Sequence, residues 1–108
     1  MNTYTPDKWV IFKVTTSEEE CLMKVFATWA GGYLSGDSWR VNSGIEKVTS
    51  DKEYYYLHGS SSSVYKCRKQ GYGVCGGSNY SVANNFESLE GVILMGECDA
   101  KERLEEML

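Results

Sequence analysis

The chain has 108 residues, of which 42% are hydrophobic and 13% aromatic, and it contains a single proline. Domains most often have about 100 to 150 residues, so residues 1–108 are predicted to form one domain. The apolar content is too high for a disordered chain. The formal net charge of −4 argues against a general surface for duplex nucleic acid, because phosphate contacts require many clustered cations.

The chain carries no sequence signal for a membrane or for secretion. No apolar run approaches the roughly 18 residues that a spanning helix needs, and residues 1–7 are polar. We therefore expect a cytoplasmic protein without a membrane partner. The four cysteines, Cys21, Cys67, Cys75 and Cys98, are then expected to be reduced thiols that serve in packing.

The first two predicted elements are strands. From Lys8 to Thr15, Val10, Phe12 and Val14 alternate with Trp9, Ile11 and Lys13 at the two-residue period of a strand with one strongly apolar face, and Cys21 to Trp29 follow the same period. The connection between them is short and polar. This pattern predicts an antiparallel hairpin.

The middle of the chain is predicted to continue the sheet in short strands. Glycines at positions 31, 32 and 36 break the pattern first, and a serine-rich stretch at 59–63 indicates a loop. The further strands are predicted around Trp39 to Val41, Ile45 to Val48, Glu53 to His58 and Val64 to Lys69.

The last third changes to a helical period. Ser78 or Asn79 is a candidate N-cap for a helix over 81–89, and Asp99 with Glu102 resembles a capping box at the start of a terminal helix. A short strand is predicted between them at Val92 to Met95. The predicted fold is therefore α+β, with a single antiparallel sheet of four to six strands arranged as a meander. One or two C-terminal helices cover one face of that sheet.

The most explicit motif is a literal G-x-G-x-x-G at Gly71–Gly76, between a candidate strand and a candidate helix. A dinucleotide site places this turn after a buried parallel strand, whereas Val64–Lys69 carries three cations. Little chain follows for the rest of a doubly wound sheet. We therefore interpret the motif as a glycine-rich connection.

A weaker version of this hypothesis concerns a small anion. Backbone amides near a helix N-terminus can bind phosphate or carboxylate. The stretch Gly71–Ser78 is thus an alternative anion or nucleotide site, with Gly76, Gly77 and Ser78 as its binding residues. Lys66 or Arg68 would assist it.

A second alternative is a thiol enzyme that uses His58, the single histidine, with Cys67 or Cys75. No C-x-x-C pair occurs, and the spacing from Cys67 to Cys75 is wider than in a usual zinc knuckle. We therefore expect no metal, no cofactor and no enzymatic activity.

The favoured hypothesis comes from the abundance of aromatic residues without a catalytic set. Tyrosine and tryptophan dominate contact hot spots, and the same side chains stack on single-stranded bases beside cations. The competing interpretation is that alternate tyrosines pack under the helix with their hydroxyls at the rim. The aromatic residues considered are Trp39, Tyr54, Tyr55, Tyr56, Tyr65 and Tyr72.

One segment resembles a known group of proteins. Residues 24–45, KVFATWAGGYLSGDSWRVNSGI, preceded by PDKW at 6–9, are similar to small proteins encoded by tailed phages and marine bacteria. The resemblance implies an origin in a phage or its host, where small accessory domains often act by binding. It implies no activity and no site residues.

The sequence therefore predicts a small non-enzymatic accessory protein that binds another macromolecule. The binding element is an aromatic sheet surface or the glycine-rich loop at 31–37. A protein partner is favoured over single-stranded nucleic acid. The residues predicted to bind are Trp39, Tyr54, Tyr56, Lys66 and Arg68.

Overall fold

Eight strands and two helices are formed by the residues that the computed structural model describes, 2–31 and 36–108. In chain order they are β1 (Asn2–Tyr4), β2 (Lys8–Thr15), β3 (Cys21–Trp29), β4 (Ser38–Val41), β5 (Ile45–Ser50), β6 (Tyr54–Gly59), β7 (Ser63–Arg68), α1 (Gly77–Glu87), β8 (Val92–Leu94) and α2 (Glu97–Glu106).

The strands form two sheets. Sheet A has the order β1-β7-β6-β5 and sheet B the order β4-β3-β2-β8. Neighbouring strands are antiparallel except for β1, which runs parallel to β7. The α+β class with C-terminal helices is confirmed, and the prediction of one sheet of four to six strands is only partly matched, because the strands form two sheets of four. The alternation identifies strands, but long-range pairing decides how they are divided between sheets.

The main core lies between the two sheets. It is closed by α2, which contributes the buried Ala100 and Leu104. Sheet B presents one face of β2 and β3 to this core, and sheet A presents the alternate residues of β5, β6 and β7. The strand residues buried there are Trp9, Ile11, Val25, Ala27, Val48, Tyr55, Leu57, Tyr65 and Cys67.

A second cluster lies on the other face of sheet B, under α1. Val10, Phe12 and Phe26 point away from the main core and pack against Ala83 and Phe86 of the helix. Because both faces of β2 and β3 are covered, sheet B is the middle layer of the protein. The outer face of sheet A is packed against neither α1 nor α2.

Helix α1 begins earlier than the sequence predicts. Its N-cap is Gly76, and the expected caps Ser78 and Asn79 lie inside the helix. The reason is that Asn79 is buried and uses its amide elsewhere. Its Nδ2 donates to the carbonyls of Cys75 and Ser38, both at 2.9 Å. Asn79 thereby holds the first turn of the helix against the end of sheet B.

Helix α2 also begins before its predicted cap, with Gly96 as N-cap and Glu97 as its first residue. Glu97 and Asp99 lie in the first turn, where negative charge is favourable toward the helix dipole. Neither of the two helices in the described ranges is long and apolar enough to cross a membrane.

Candidate functional site

The outer face of sheet A brings together most of the residues that the sequence predicts to bind. Tyr55 and Leu57 of β6 point into the core, so alternation turns Tyr54 and Tyr56 outward. The pairing of β6 with β7 sets Tyr54 opposite Arg68 and Tyr56 opposite Lys66. We define the tyrosine face as these four residues together with Lys47, Thr49 and His58, which the same alternation turns outward.

The two outward tyrosines form a small aromatic platform. The ring centroids of Tyr54 and Tyr56 are 6.4 Å apart, and their planes are inclined by 44°. The Nζ of Lys66 lies 4.5 Å from the centroid of the Tyr54 ring, within the range of a cation–π contact. A cation therefore sits directly beside the platform.

The carboxylate of Asp51 orients the platform from the turn between β5 and β6. Its Oδ2 accepts a hydrogen bond from the Tyr56 hydroxyl at 2.7 Å, and its Oδ1 accepts from the backbone N–H groups of Glu53 and Tyr54. The Tyr56 hydroxyl first, and then those two amides, lower the pKa of Asp51. The same bond to Asp51 raises the pKa of Tyr56. The sequence analysis missed this role, although an Asp at the turn before a strand is typical of an Asx turn.

The surroundings of the platform are rich in cations. Lys52, in the turn after β5, and Lys69, just after β7, line a cleft of about 400 Å³ with Glu53, Tyr54, Arg68 and Gln70. Among the described residues, ion pairs form only within α2, between Lys101 and Glu97 and between Arg103 and Glu106. None of the described cations around the tyrosine face is paired with a carboxylate, and the Nζ atoms of Lys66 and Lys69 lie instead over the rings of Tyr54 and Tyr55, at 4.5 and 4.9 Å from their centroids. Lys52 and Gln70 were not predicted, because only the pairing of β6 with β7 brings them together.

Trp39, also predicted to bind, lies apart from the tyrosine face, on the other sheet. It lies on β4 of sheet B, where its ring stacks on Phe26 at 5.6 Å and meets Phe86 of α1 edge-on at 5.5 Å. The prediction treated all strands as one sheet, whereas β4 pairs with β3. Of the other candidates, Tyr55 and Tyr65 point into the core.

The glycine motif is a structural connection that runs beside β2. The N–H of Trp9 donates to the carbonyl of Gly71 at 3.2 Å, and the N–H of Gly73 donates to the carbonyl of Trp9 at 2.8 Å. The N–H of Cys75 donates to Thr28 Oγ1 at 3.2 Å. Within the motif, the N–H groups of Gly73 and Cys75 thus donate to acceptors of the protein itself, in keeping with the interpretation as a connection.

Tyr72, between the first two glycines of the motif, links sheet B to the segment after β8. Its hydroxyl donates to the carbonyl of Met95 at 2.7 Å and accepts from the N–H of Ile11 at 3.0 Å. Burial raises the pKa of Tyr72 to about 12, against 10.0 for an ordinary tyrosine. The neutral Tyr72 hydroxyl thus stabilises the fold through its two hydrogen bonds.

We expect this hydroxyl to make the fold sensitive to alkaline pH. Since the folded state holds the Tyr72 proton more tightly than the unfolded chain, the stabilisation is complete below pH 10.0 and is lost as pH rises to about 12. Urea unfolding at a series of pH values through this window measures the loss. Tyr72→Phe should reduce the slope, leaving the part contributed by Tyr55, whose pKa is also raised to about 12, and by Tyr56, Tyr65 and Cys67, whose pKa values are raised as well. An unchanged slope would contradict this assignment.

The alternative anion site at the start of α1 already holds a carboxylate. The Oγ of Ser78 donates to Asp37 Oδ2 at 3.2 Å, and a Cβ built on Gly76 would lie 2.6 Å from the Asp37 carboxyl carbon. Gly77 faces open space. Lys66 and Arg68, which the hypothesis recruited, lie on the outer face of sheet A instead. An external anion here would meet the negative charge of Asp37.

The residues of the alternative thiol site are not brought together. His58 lies on the outer face of sheet A, with its Nε2 3.3 Å from Thr49 Oγ1. Cys67 points into the core on the opposite face of the same sheet, and Cys75 lies 3.4 Å from Thr28 Oγ1 at sheet B. The described residues contain no group of three or more His, Cys, Asp or Glu side chains that could hold a metal ion.

The thiols are expected to differ sharply in reactivity. Burial raises the pKa of the Cys67 thiol, while Cys21 and Cys98 are exposed. Brief treatment with iodoacetamide followed by peptide mass spectrometry should therefore modify Cys21 and Cys98 in the native protein and Cys67 only after unfolding. Rapid native modification of Cys67 would contradict this expectation and favour the thiol hypothesis.

The other predicted binding element, the glycine-rich loop at 31–37, falls mainly outside the described residues, because 32–35 are not described.

Comparison of the chain with known proteins gave no match to a protein-family model, to a curated protein or to a solved structure.

Proposed function

We propose that this protein is a non-enzymatic accessory protein that binds another macromolecule through the tyrosine face of sheet A. The observation that carries the proposal is the contiguous set of Tyr54, Tyr56, Lys66 and Arg68 on a sheet face that neither α1 nor α2 covers. Half-buried tyrosines beside cations suit a binding surface, because an aromatic ring offers a large contact area at low cost in conformational entropy.

The arrangement of the titratable groups supports a binding role over catalysis. A nucleophile and its base must lie within hydrogen-bond reach, whereas His58 and Cys67 are on opposite faces of sheet A. Both oxygens of the Asp51 carboxylate accept hydrogen bonds within the protein, from the Tyr56 hydroxyl and from two backbone N–H groups of its own turn. The resemblance to phage and marine-bacterial proteins adds the proposal that the binding occurs in the cytoplasm of a bacterial host.

A pull-down with a matched tyrosine control tests the proposal. Tyr54→Ala with Tyr56→Ala removes the platform, while Tyr80→Ala removes an exposed tyrosine of α1, which lies on the sheet B side of the molecule. We expect the wild type and the Tyr80 variant to retain the same partner from a host lysate and the double variant to lose it. All three should unfold at similar temperatures. Equal retention by the folded double variant would refute the proposal.

A further inference from the structure

We infer that the tyrosine face binds single-stranded nucleic acid, with bases stacked on Tyr54 and Tyr56 and phosphates held by Lys66 and Arg68. The inference rests on the proposed function, because it names the class of partner for the same face. Three independent features carry it: the distribution of charge, the geometry of the rings and the kind of residue that the face lacks.

Charge is segregated along the chain in a way that the net value conceals. Residues 45–69 carry five cations and three carboxylates, whereas the rest of the chain carries six cations and twelve carboxylates. Those five cations are Lys47, Lys52, Lys66, Arg68 and Lys69, and they lie on or beside the tyrosine face. A local positive field on an acidic protein guides a polyanion to this face and away from the others.

The rings are spaced for unstacked bases. The centroids of Tyr54 and Tyr56 are 6.4 Å apart, close to twice the 3.4 Å step of a duplex strand. One base can therefore stack on each ring only if the two bases are separated, as in an extended single strand. Duplex bases are stacked on each other and cannot reach the rings. Aromatic residues on the central strands of a four-stranded sheet are a recurrent platform for such bases.

The cations lie where the backbone of such a strand would pass. Lys66 is opposite Tyr56 and Arg68 is opposite Tyr54 on the neighbouring strand, so each ring has a cation beside it. Lys66, now over the Tyr54 ring, is long enough to turn toward a phosphate when a base takes its place. At the end of the face, the cleft between Lys52, Arg68 and Lys69 offers a place for a further phosphate.

Apart from its two tyrosines, the described part of the face carries no clearly exposed large hydrophobic residue that could anchor a protein interface. Large hydrophobic residues that are clearly exposed among the described residues lie on other surfaces, and none belongs to β5, β6 or β7. They are Leu22, Trp39, Tyr80, Leu89, Ile93 and Leu108. Hot spots in protein interfaces are large side chains buried in pockets at the centre of the contact. A face of half-buried tyrosines and of cations that no described carboxylate pairs with fits a polyanion with stacking groups better.

Fluorescence anisotropy with three defined probes tests the inference. The probes are a labelled oligothymidine of about 12 nucleotides, a typical length for one single-strand site, the same sequence as a duplex, and a polyglutamate peptide of equal charge. We expect the single strand to bind at least about tenfold more tightly than either competitor. Binding of the polyglutamate as tightly as the single strand would show that charge alone acts and would overturn the inference.

Two pairs of substitutions separate stacking from charge. Each tyrosine removed, in Tyr54→Ala or Tyr56→Ala, should weaken single-strand binding by about five- to a hundredfold. Lys66→Ala with Arg68→Ala should lower the slope of log affinity against log salt by about 1.4, because each phosphate contact on a single strand contributes about 0.7. The matched control for the tyrosine variants is Tyr80→Ala. The matched control for the cation pair is Lys8→Ala with Lys13→Ala, because both lysines are exposed on β2.

The result also distinguishes the inference from the proposed function. If Tyr54→Ala with Tyr56→Ala abolishes capture of a lysate partner but the wild type does not bind oligothymidine, the tyrosine face remains a binding face and the nucleic-acid inference is wrong. If neither assay responds to the folded double variant, both are wrong. Single-strand binding that is unchanged in the tyrosine variants and lost only in the lysine and arginine variants would likewise overturn the stacking that we infer.

Discussion

Replacement of Trp9 by alanine is expected to lower the free energy of unfolding by about 3 to 5 kcal/mol, the usual cost of truncating a fully buried tryptophan. Trp9 has no exposed surface, and its ring meets Tyr72 and Tyr55 edge-on at 4.9 and 6.1 Å. Its Nε1 donates to the carbonyl of Arg68 at 2.7 Å. Because Trp9 belongs to sheet B and Arg68 to sheet A, this one side chain joins the two layers.

Urea unfolding of matched tryptophan variants measures the effect. Trp39→Ala is the control, because Trp39 is 44% exposed at the edge of the second cluster, and truncation there should cost less than half as much. Trp9→Phe keeps an aromatic ring and removes the indole donor from the Arg68 carbonyl, which still accepts from the Gly71 N–H at 2.9 Å, so the lost hydrogen bond should cost about 0.5 to 1.5 kcal/mol. This variant remains informative if Trp9→Ala does not fold. A smaller loss for Trp9→Ala than for Trp39→Ala would contradict the position of Trp9 in the main core.

The hairpin was predictable because its signal is local. The strands predicted at Lys8 to Thr15 and Cys21 to Trp29 have the bounds of β2 and β3, and their antiparallel pairing is confirmed. The alternation of apolar and polar residues depends only on the chain's own two-residue period. This periodicity does not show how many sheets the strands form. Consecutive apolar residues from Trp9 to Phe12 were the sign that both faces of β2 are covered.

Long-range pairing accounts for the elements that the sequence analysis missed. β1 is a polar segment of three residues that lies parallel to β7, with Asn2 opposite Ser63. No local pattern marks such a strand, because its stability comes from a partner about sixty residues away. The prediction of one sheet is only partly matched for the same reason, since the chain passes from sheet B to sheet A between β4 and β5.

The candidate site shows the same difference between local and long-range signals. Tyr54, Tyr56, Lys66 and Arg68 lie on two strands of one hairpin, so alternation and a short loop were enough to place them on one face. The relation of Trp39 to these residues depends on how two sheets are arranged, which no local spacing encodes. The carboxylate of Asp37 at the start of α1 likewise comes from a segment some forty residues earlier. A site within one hairpin can therefore be predicted from the sequence, whereas a site formed by residues of different layers cannot.

Gly91 shows the same dependence on a distant neighbour, and its replacement has a second large expected effect. Its φ is +79°, a conformation that residues with a Cβ rarely adopt, and a Cβ built there would lie 2.6 Å from the carbonyl oxygen of Thr15. The clash is with backbone, which a rotamer change cannot relieve. The carbonyl of Gly91 also accepts a hydrogen bond from the N–H of Thr15 at 2.8 Å, so the strain falls where β8 begins to pair with β2.

Gly91→Ala is therefore expected to lower the free energy of unfolding by about 2 to 5 kcal/mol, from the strained conformation and from the contact with Thr15 together. Gly77→Ala is the matched control. It lies in the first turn of α1, where a Cβ meets nothing within 4 Å, and should stabilise the protein by about 0.4 to 1 kcal/mol. Urea midpoints of the two variants measured side by side give the comparison. Equal midpoints would mean that the chain at Gly91 accommodates a methyl group, and that the close approach of β8 to Thr15 is not fixed as described.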